Sequence, residues 1–377
     1  MSMTPRERIL AALRRQEVDY APCLPIFWSS PTAPEFAWET EEQRLDVALD
    51  RLGVDAFVDF GIGHRSHPAV TERVWEERVP GETLPRLHKA IETPAGALTC
   101  TVRTTDDWPH GADIPLVSDF VVSRIVKPWI ETDRDMDCLE HLWQASDASA
   151  VQVRESIAPV RALADRRQVP VRAYIGMGLT ASLSLFGAEA AVLTSVERPH
   201  LLDRLAEIEH CMTVRRIELA AEAGVDFLSR NGFYETTDFW SPAQIERFLG
   251  GRLRRELDLA HQADLPVAYT VCTGIMPLLD FLKRTAFDCL FGIEPALGNQ
   301  DMRAVARELG GECCMWSGLS SPFHLGQGSP ESVRAAVREF YEVFGKRGTI
   351  LTATPSIRPY WPWANVMAMF EEWRRLR

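Results

Sequence analysis

The chain has 377 residues, 46% of them hydrophobic and 25% charged, a balance that excludes a fibre, a disordered polymer or a disulfide-stapled miniprotein. Lys and Arg number 41 against 53 Asp and Glu, a formal charge of −12, so the electrostatic footprint for a phosphate backbone is missing and nucleic acid is not an expected partner. The longest apolar stretches, 173–179 and 190–193, fall well short of the ~20 residues a membrane span needs, and charged residues from Arg6 to Arg15 interrupt every N-terminal apolar run, so a cytoplasmic protein is expected.

In chain order, Thr4-Pro5-Arg6-Glu7 is a helix start with a capping hydroxyl, a proline at the first helical position and a glutamate three residues after the cap; Ile9, Leu10 and Leu13 give the helix one apolar face. Short apolar runs at 22–28 and 54–60 follow, bounded by turn residues and too short for helices, which is how strands buried on both faces of a parallel sheet read. The segment 71–142 differs. Its period-2 stretches 71–77 and 98–104, with turn-prone Thr93-Pro94-Ala95-Gly96, predict an antiparallel excursion inserted after the second strand and covering the barrel mouth. Six further apolar runs come at 170–177, 225–231, 266–272, 288–294, 314–319 and 349–355, alternating with helices. Two of those helices open plainly, at Ser241-Pro242-Ala243-Gln244 and at Ser329-Pro330-Glu331, the second closed by Gly345. Eight strand-and-helix units predict an α/β fold, a (β/α)8 TIM barrel, and a single domain over 1–377. The eight cysteines show no C-x-x-C pair and read as reduced, mostly packed thiols. Cys313 and Cys314 are neighbours, so strand alternation sends them to opposite faces.

Several segments together carry a resemblance. The opening Thr4-Pro5-Arg6-Glu7-Arg8-Ile9-Leu10, the stretches Thr93-Pro94-Ala95-Gly96 and Lys127-Pro128-Trp129-Ile130, and the closing Gly328-Ser329-Pro330-Glu331 and Pro362-Trp363-Ala364-Asn365-Val366 resemble the uroporphyrinogen decarboxylase superfamily, which includes corrinoid-dependent methyltransferases. The resemblance implies a (β/α)8 barrel whose site lies at the C-terminal strand ends. Two departures limit what it implies about the reaction. Uroporphyrinogen decarboxylase carries an arginine-rich segment after its first strand, whereas residues 25–32 here contain no cation. The zinc methyltransferases place His-x-Cys where this chain has Thr270-Val271-Cys272, with a further cysteine near the last strand, and 349–357 has none. One remaining ligand cannot hold zinc, so no metal is expected. There is no D-x-H-x-x-G of the kind that grips a corrinoid, so any cobalamin would arrive on a partner protein and no cofactor is expected to be tightly bound.

Candidate site residues follow from the strand ends. Run 225–231 leads into Arg230, Asn231, Glu235 and Asp238: the cation and the two carboxylates could orient a polar substrate and Glu235 or Asp238 could act as acid or base, or Arg230 could pair with Glu235 or Asp238 and merely brace the loop. Run 266–272 ends in Tyr269, Thr270 and Cys272, where Tyr269 can donate to substrate, Thr270 can contact it, and Cys272 is a nucleophile or a packed thiol. Glu294, between a buried strand and Pro295, could move a proton, hold a cation or neutralise Arg358 across the barrel. Asp59 with His64 is an acid–base pair, or Asp59 is a carboxylate that accepts from loop amides while His64 and His67 are solvated. Trp28 and Trp316 wall a ligand or plug the core.

The expected function is that of a superfamily enzyme acting on a small polar molecule, first as methyl transfer with a partner corrinoid protein. Decarboxylation of a substrate other than uroporphyrinogen is the alternative, and a non-catalytic binding barrel the third. A homodimer is left open.

Overall fold

Eleven strands, in two separate sheets, are present among the residues described in this computed structural model, 2–62, 69–143 and 147–377. The N-terminal helix forms as its sequence dictates. Pro5–Leu13 is capped by Thr4, whose hydroxyl accepts from the Glu7 amide while Glu7 accepts back from the cap. Its inner residues Ile9, Ala12 and Leu13 join Leu24, Phe57, Phe227, Trp316 and Ile350 in one cluster. The backbone amide of Arg6 and the side chains of Arg14 and Arg15 bond to residues just before three different strands, Gln168, Asp264 and Cys313, so the helix plugs the N-terminal end of the barrel.

The barrel sheet is parallel. Its strands are β1 (Val58–Phe60), then, after the insertion, β6 (Val171–Gly176), β7 (Phe227–Asn231), β8 (Val267–Thr270), β9 (Cys289–Phe291), β10 (Cys314–Ser320) and β11 (Thr349–Thr354), paired in that order. Seven of the eight expected runs therefore form strands. The eighth, 22–28, does not: it touches β11 through a bridge at Cys23↔Leu351 and reaches the following residues at Phe27↔Ile357, and the register slips by two residues between these points. Pro22 and Pro25 lack the amide donors a ladder needs, which is why a continuous strand cannot form there. The Cys23 carbonyl also accepts from the Asp55 amide at 2.8 Å, so this segment ties the two edges of the curled sheet together.

The insertion is antiparallel, as expected, but richer: β2 (Thr71–Glu77), β3 (Arg86–Thr93), β4 (Gly96–Arg103) and β5 (Ile125–Lys127) pair in sequence order. The turn at 93–96 joins β3 to β4, with the Thr93 hydroxyl accepting from the Ala95 amide. A short helix, Asp119–Val122, capped by Ser118, lies between β4 and β5. Both predicted caps in the second half are present, Ser241 on Pro242–Ile245 and Ser329 on Pro330–Phe344, which Gly345 ends at φ 72°.

No single helix among the described residues is long and apolar enough to cross a membrane. The pair Leu179–Phe186 and Ala188–Glu197 qualifies only if joined, and it is bent by 111°.

Candidate functional site

Alternation decides which side chains the barrel turns inward. Phe57, Phe227, Ala268, Cys289, Phe291, Cys314, Trp316 and Ile350 belong to the interior cluster, so the residues two positions along their strands share that face. These include Asp59, Ser229, Thr270, Gly318 and Thr352. On β6 the inward residues are Arg172 and Tyr174, while Val171 and Ala173 pack outward with the larger core.

Arg172 is the central feature that sequence reasoning missed. It is 2% exposed, and its Nε and Nη2 donate to Asp59 Oδ1 and Oδ2 at 2.7 and 3.0 Å, a forked pair that fixes the carboxylate. The guanidinium lies 4.1 Å from the Phe57 ring centre and 4.5 Å from that of Tyr174. Burial works against its charge, but Asp59 and Tyr174 outweigh burial and hold the group firmly protonated. Tyr174 is 45% exposed, and burial among neighbouring protein groups pushes its hydroxyl pKa up. Asp59 therefore has Arg172 as its partner; His64, expected beside it, lies outside the described residues.

Beyond β8 and β9 a second group forms. Gln300 donates to the carbonyls of Cys272 and Glu294 at 2.9 and 2.7 Å, and the Glu294 amide donates to Cys272 at 3.1 Å, which pins the turn carrying Glu294. Glu294 is 1% exposed. Its Oε1 accepts from the Ala296 amide at 2.9 Å and its Oε2 faces the Thr354 hydroxyl at 3.5 Å, with the Ser320 hydroxyl also in reach. Burial raises its pKa above the usual carboxyl value, against those hydrogen bonds. The expected alternative, neutralisation of Arg358, does not occur: Arg358 lies 4.1 Å over the Trp28 ring, and no ion pair of Glu294 exists among the described residues. Cys272 is 8% exposed and is pushed up to about 12, first by burial and then by Glu294 and Asp238. The chain after Gly274 enters a helix, a 3-10 turn at Met276–Leu278 that continues as the α-helix Leu279–Thr285, with Pro277 in its first turn, yet burial prevails at the Cys272 thiol. A neutral thiol among carboxyl groups, with Thr270 beside it, does not fit a zinc site. Among the described residues no three His, Cys, Asp or Glu side chains converge in a way that could hold a metal.

The rim joins the insertion to the barrel. Trp28 is 53% exposed, with Arg358 on its ring and Phe120 of the insertion helix 6.2 Å away. Asp119, the preceding residue, accepts from the Tyr234 hydroxyl and feels Arg358; burial pushes its carboxyl above the ordinary range while both neighbours work against that. Neither Asp119 nor Phe120 was a sequence candidate, and the only local signal was the cap at Ser118.

Three expected site residues lie elsewhere. Arg230 and Tyr269 occupy outward positions of β7 and β8, and Glu235 joins them behind the sheet. Arg230 donates to Glu235 at 2.7 Å and to Glu256 at 2.9 Å; Tyr269 donates to Glu235 at 2.5 Å; Leu179 adds its amide at 2.8 Å; His210 meets Glu256 at 2.8 Å. All are buried, and strand parity gives the reason: Phe227, Ser229 and Asn231 take the inward positions. This geometry is the bracing alternative. Asn231 stays inward and accepts from the Phe233 amide at 3.0 Å; Thr270 is inward beside it; Trp316 is wholly buried, donates to the Leu24 carbonyl at 3.1 Å and forms the floor.

With this geometry in place, comparison with known proteins is informative. The sequence profile described as "Uroporphyrinogen decarboxylase (URO-D)" matches residues 108–376. Among solved structures, a methyltransferase from Methanosarcina mazei is similar over 100% of this chain and 99% of its own, at 18% identity and a TM-score of 0.58. A B12-independent methionine synthase from Shewanella sp. W3-18-1 covers 94% and 96% at 10% identity and a TM-score of 0.45, and a putative vitamin-B12-independent methionine synthase from Listeria monocytogenes covers 60% and 67% at 13% and 0.38. No curated protein sequence matches. A profile match over most of the chain, on a TIM-barrel-like fold, places this protein in the uroporphyrinogen decarboxylase (URO-D) family.

Proposed function

We propose that the protein is an enzyme that transfers a methyl group between a small polar molecule and a corrinoid carried by a partner protein, in the recess framed by Asp59, Tyr174, Trp28 and Glu294. The observation that carries the proposal is Glu294, a buried carboxyl with hydroxyl and amide neighbours and a raised pKa. Such a group is a proton donor held ready in a dry place. When a methyl group leaves a heteroatom, that atom keeps the bonding pair, and a proton from Glu294 neutralises it. The partner's corrinoid supplies the cobalt that takes or gives the methyl group. Asp59, fixed by Arg172, and Trp28 at the rim orient the substrate. A methyltransferase shares this fold from end to end, so the architecture is compatible with the reaction. Zinc activation has no place in this scheme, because the residues do not fit that metal.

Decarboxylation is the second function, favoured by Arg358: its guanidinium stacks on Trp28 with no carboxylate at ion-pair distance among the described residues, leaving it free to hold a substrate carboxylate. Glu294 would then protonate the carbanion.

The test is direct. Purified protein is incubated with reduced cobalamin and a panel of O-, N- and S-methyl compounds, and methylcobalamin is followed by absorbance; carbon dioxide release is measured on carboxylated compounds in parallel. Methylcobalamin formation that Glu294→Gln abolishes supports methyl transfer. Carbon dioxide release without methylcobalamin overturns it in favour of the second function.

A further inference from the structure

Two side chains of opposite charge stand on the barrel rim without pairing. Asp119 reaches the rim from the insertion, and its backbone is fixed to the barrel helix Leu179–Phe186: the Ser118 amide donates to Ser184 Oγ, which donates back to the Ser118 carbonyl, both at 3.2 Å. Tyr234 is held on the same helix. Its amide donates to Thr180 Oγ1 at 3.1 Å, its carbonyl accepts from Trp240 Nε1 at 2.9 Å, and its hydroxyl donates to the Asp119 carboxylate. Arg358 comes from the other side of the mouth, after β11, three strands away from the β7 end that carries Tyr234. The Trp28 amide donates to the Ile357 carbonyl at 3.0 Å and the Thr32 hydroxyl to the Pro359 carbonyl at 2.9 Å, so both neighbours of Arg358 are tied to the segment carrying Trp28. The guanidinium lies 4.1 Å over the Trp28 ring, and Phe120, next to Asp119, lies 6.2 Å from that ring. Asp119 therefore stands in the field of Arg358, yet among the described residues neither side chain forms an ion pair. Each is held instead by an uncharged partner, Arg358 by an aromatic face and Asp119 by a phenol. These groups are open to solvent: Trp28 is 53% exposed, Asp119 is exposed, and Arg358 and Tyr234 are half-buried.

The two charges together select an occupant. A neutral molecule leaves both without a partner. An anion meets the Arg358 fork but faces Asp119, and a cation meets Asp119 but faces Arg358. A molecule that carries both charges satisfies both residues at once. We infer that Arg358 and Asp119 together recognise a zwitterion, a small amino acid whose carboxylate takes Arg358 and whose ammonium takes Asp119. Tyr234 is then a positioning residue, which aims the Asp119 carboxylate from the barrel side. This inference rests on the rim being the mouth of the substrate recess, and it names the charge type that the recess admits, whichever reaction follows.

The probes are glycine, β-alanine and 4-aminobutyrate, which space the two charges differently, each beside the alkanoate and the alkylamine of the same length. They are titrated into the full chain by isothermal calorimetry. The amino acid that matches the spacing should bind about tenfold more tightly than both of its single-charge analogues, the factor expected of hydrogen bonds to a charged group. Asp119→Asn keeps an acceptor for the Tyr234 hydroxyl and should abolish the advantage over the alkanoate while alkanoate binding holds or tightens. Arg358→Gln should abolish the advantage over the alkylamine in the same way, and Arg358→Lys should restore part of it. Tyr234→Phe should weaken the amino acid and leave the alkanoate unchanged. No advantage for any of the three amino acids overturns the inference, and so does an equal loss of amino acid and alkanoate in Asp119→Asn, which is what a purely structural carboxylate would give. Selective binding without methylcobalamin formation refutes the proposed reaction and keeps the substrate class; methylcobalamin formed from uncharged methyl compounds, without selective binding, does the reverse.

Discussion

Replacing Glu294 by Gln keeps shape and volume and removes the acid. The Ala296 amide, 2.9 Å from Oε1, can still donate to the Gln carbonyl oxygen, and the Thr354 hydroxyl at 3.5 Å and the Ser320 hydroxyl can each accept from the new amide nitrogen. Hydrogen bonds are exchanged more than lost, so the cost in stability should be about 1 kcal/mol or less. At roughly 2 cal/mol/K per residue of unfolding entropy, a chain of this length should then lose only about 1 to 2 °C in melting temperature. Turnover should fall by ~10²-fold or more, about 2.7 kcal/mol in the barrier, because no other group replaces the proton donor. The pH dependence has a definite sign. Burial raises the carboxyl's folded pKa above its ordinary value, so the protonated form is favoured by the fold. Activity that needs that proton, and the stability the protonated form contributes, are both complete below the unfolded pKa and decline as pH rises through the folded one. The Gln variant should lose this decline in stability. Differential scanning calorimetry across pH, with methylcobalamin formation as the activity assay, checks both halves. A loss above about 3 kcal/mol with turnover unchanged would refute the argument, since that is the signature of a broken structural brace.

Arg230→Met should behave in the opposite way, stranding the buried Glu235 and Glu256 carboxylates and costing about 3 to 5 kcal/mol in urea denaturation. Tyr269→Phe should cost about 1 to 3 kcal/mol, since it takes away a hydroxyl donated to buried Glu235. Iodoacetamide at neutral pH should modify exposed Cys211 well before Cys272, whose thiol is pushed up to about 12; peptide mass spectrometry gives the order, and rapid labelling of Cys272 would contradict its burial. Asp19 is lowered to about 2, first by its hydrogen bond from Arg8, so the stability it contributes is present above the ordinary aspartate pKa and is lost as pH falls through about 2. Asp19→Asn should flatten the acid limb of a stability–pH curve.

Local signals were the legible ones. The caps at Thr4, Ser241 and Ser329 need only residues three apart, and all three formed. Seven strands were visible because a doubly buried strand is a short apolar run, and the same rule misassigned 22–28, where the prolines decide the matter. Strand β3 was hidden because Arg86, His88, Lys89 and Glu92 mask its alternation. Lys89 is buried against Glu72 and Asp113, partners that only the folded sheet brings to it. Asp119 and Phe120 reach the rim from inside the insertion, which no spacing in the sequence could reveal.

Arg172 and Arg230 show what separates a site residue from a brace. Each is a single arginine in a buried strand, each is 2–3% exposed, and each grips carboxylates. The sequence presents them alike, and polar neighbours drew attention to Arg230. Their positions differ in parity: Arg230 follows inward Ser229 and so points into the helices, where Glu235 and Glu256 engage it from two sides. Arg172 points into the barrel, spends two nitrogens on a half-exposed aspartate and leaves the third unpaired. Folding alone would favour complete pairing, as at Arg230, because an unpaired buried donor is costly. Arg230 is thus a brace of the fold, whereas Arg172, its guanidinium 4.1 and 4.5 Å from the Phe57 and Tyr174 ring centres, spends its fork on holding the half-exposed Asp59 carboxylate on the inward face of the barrel.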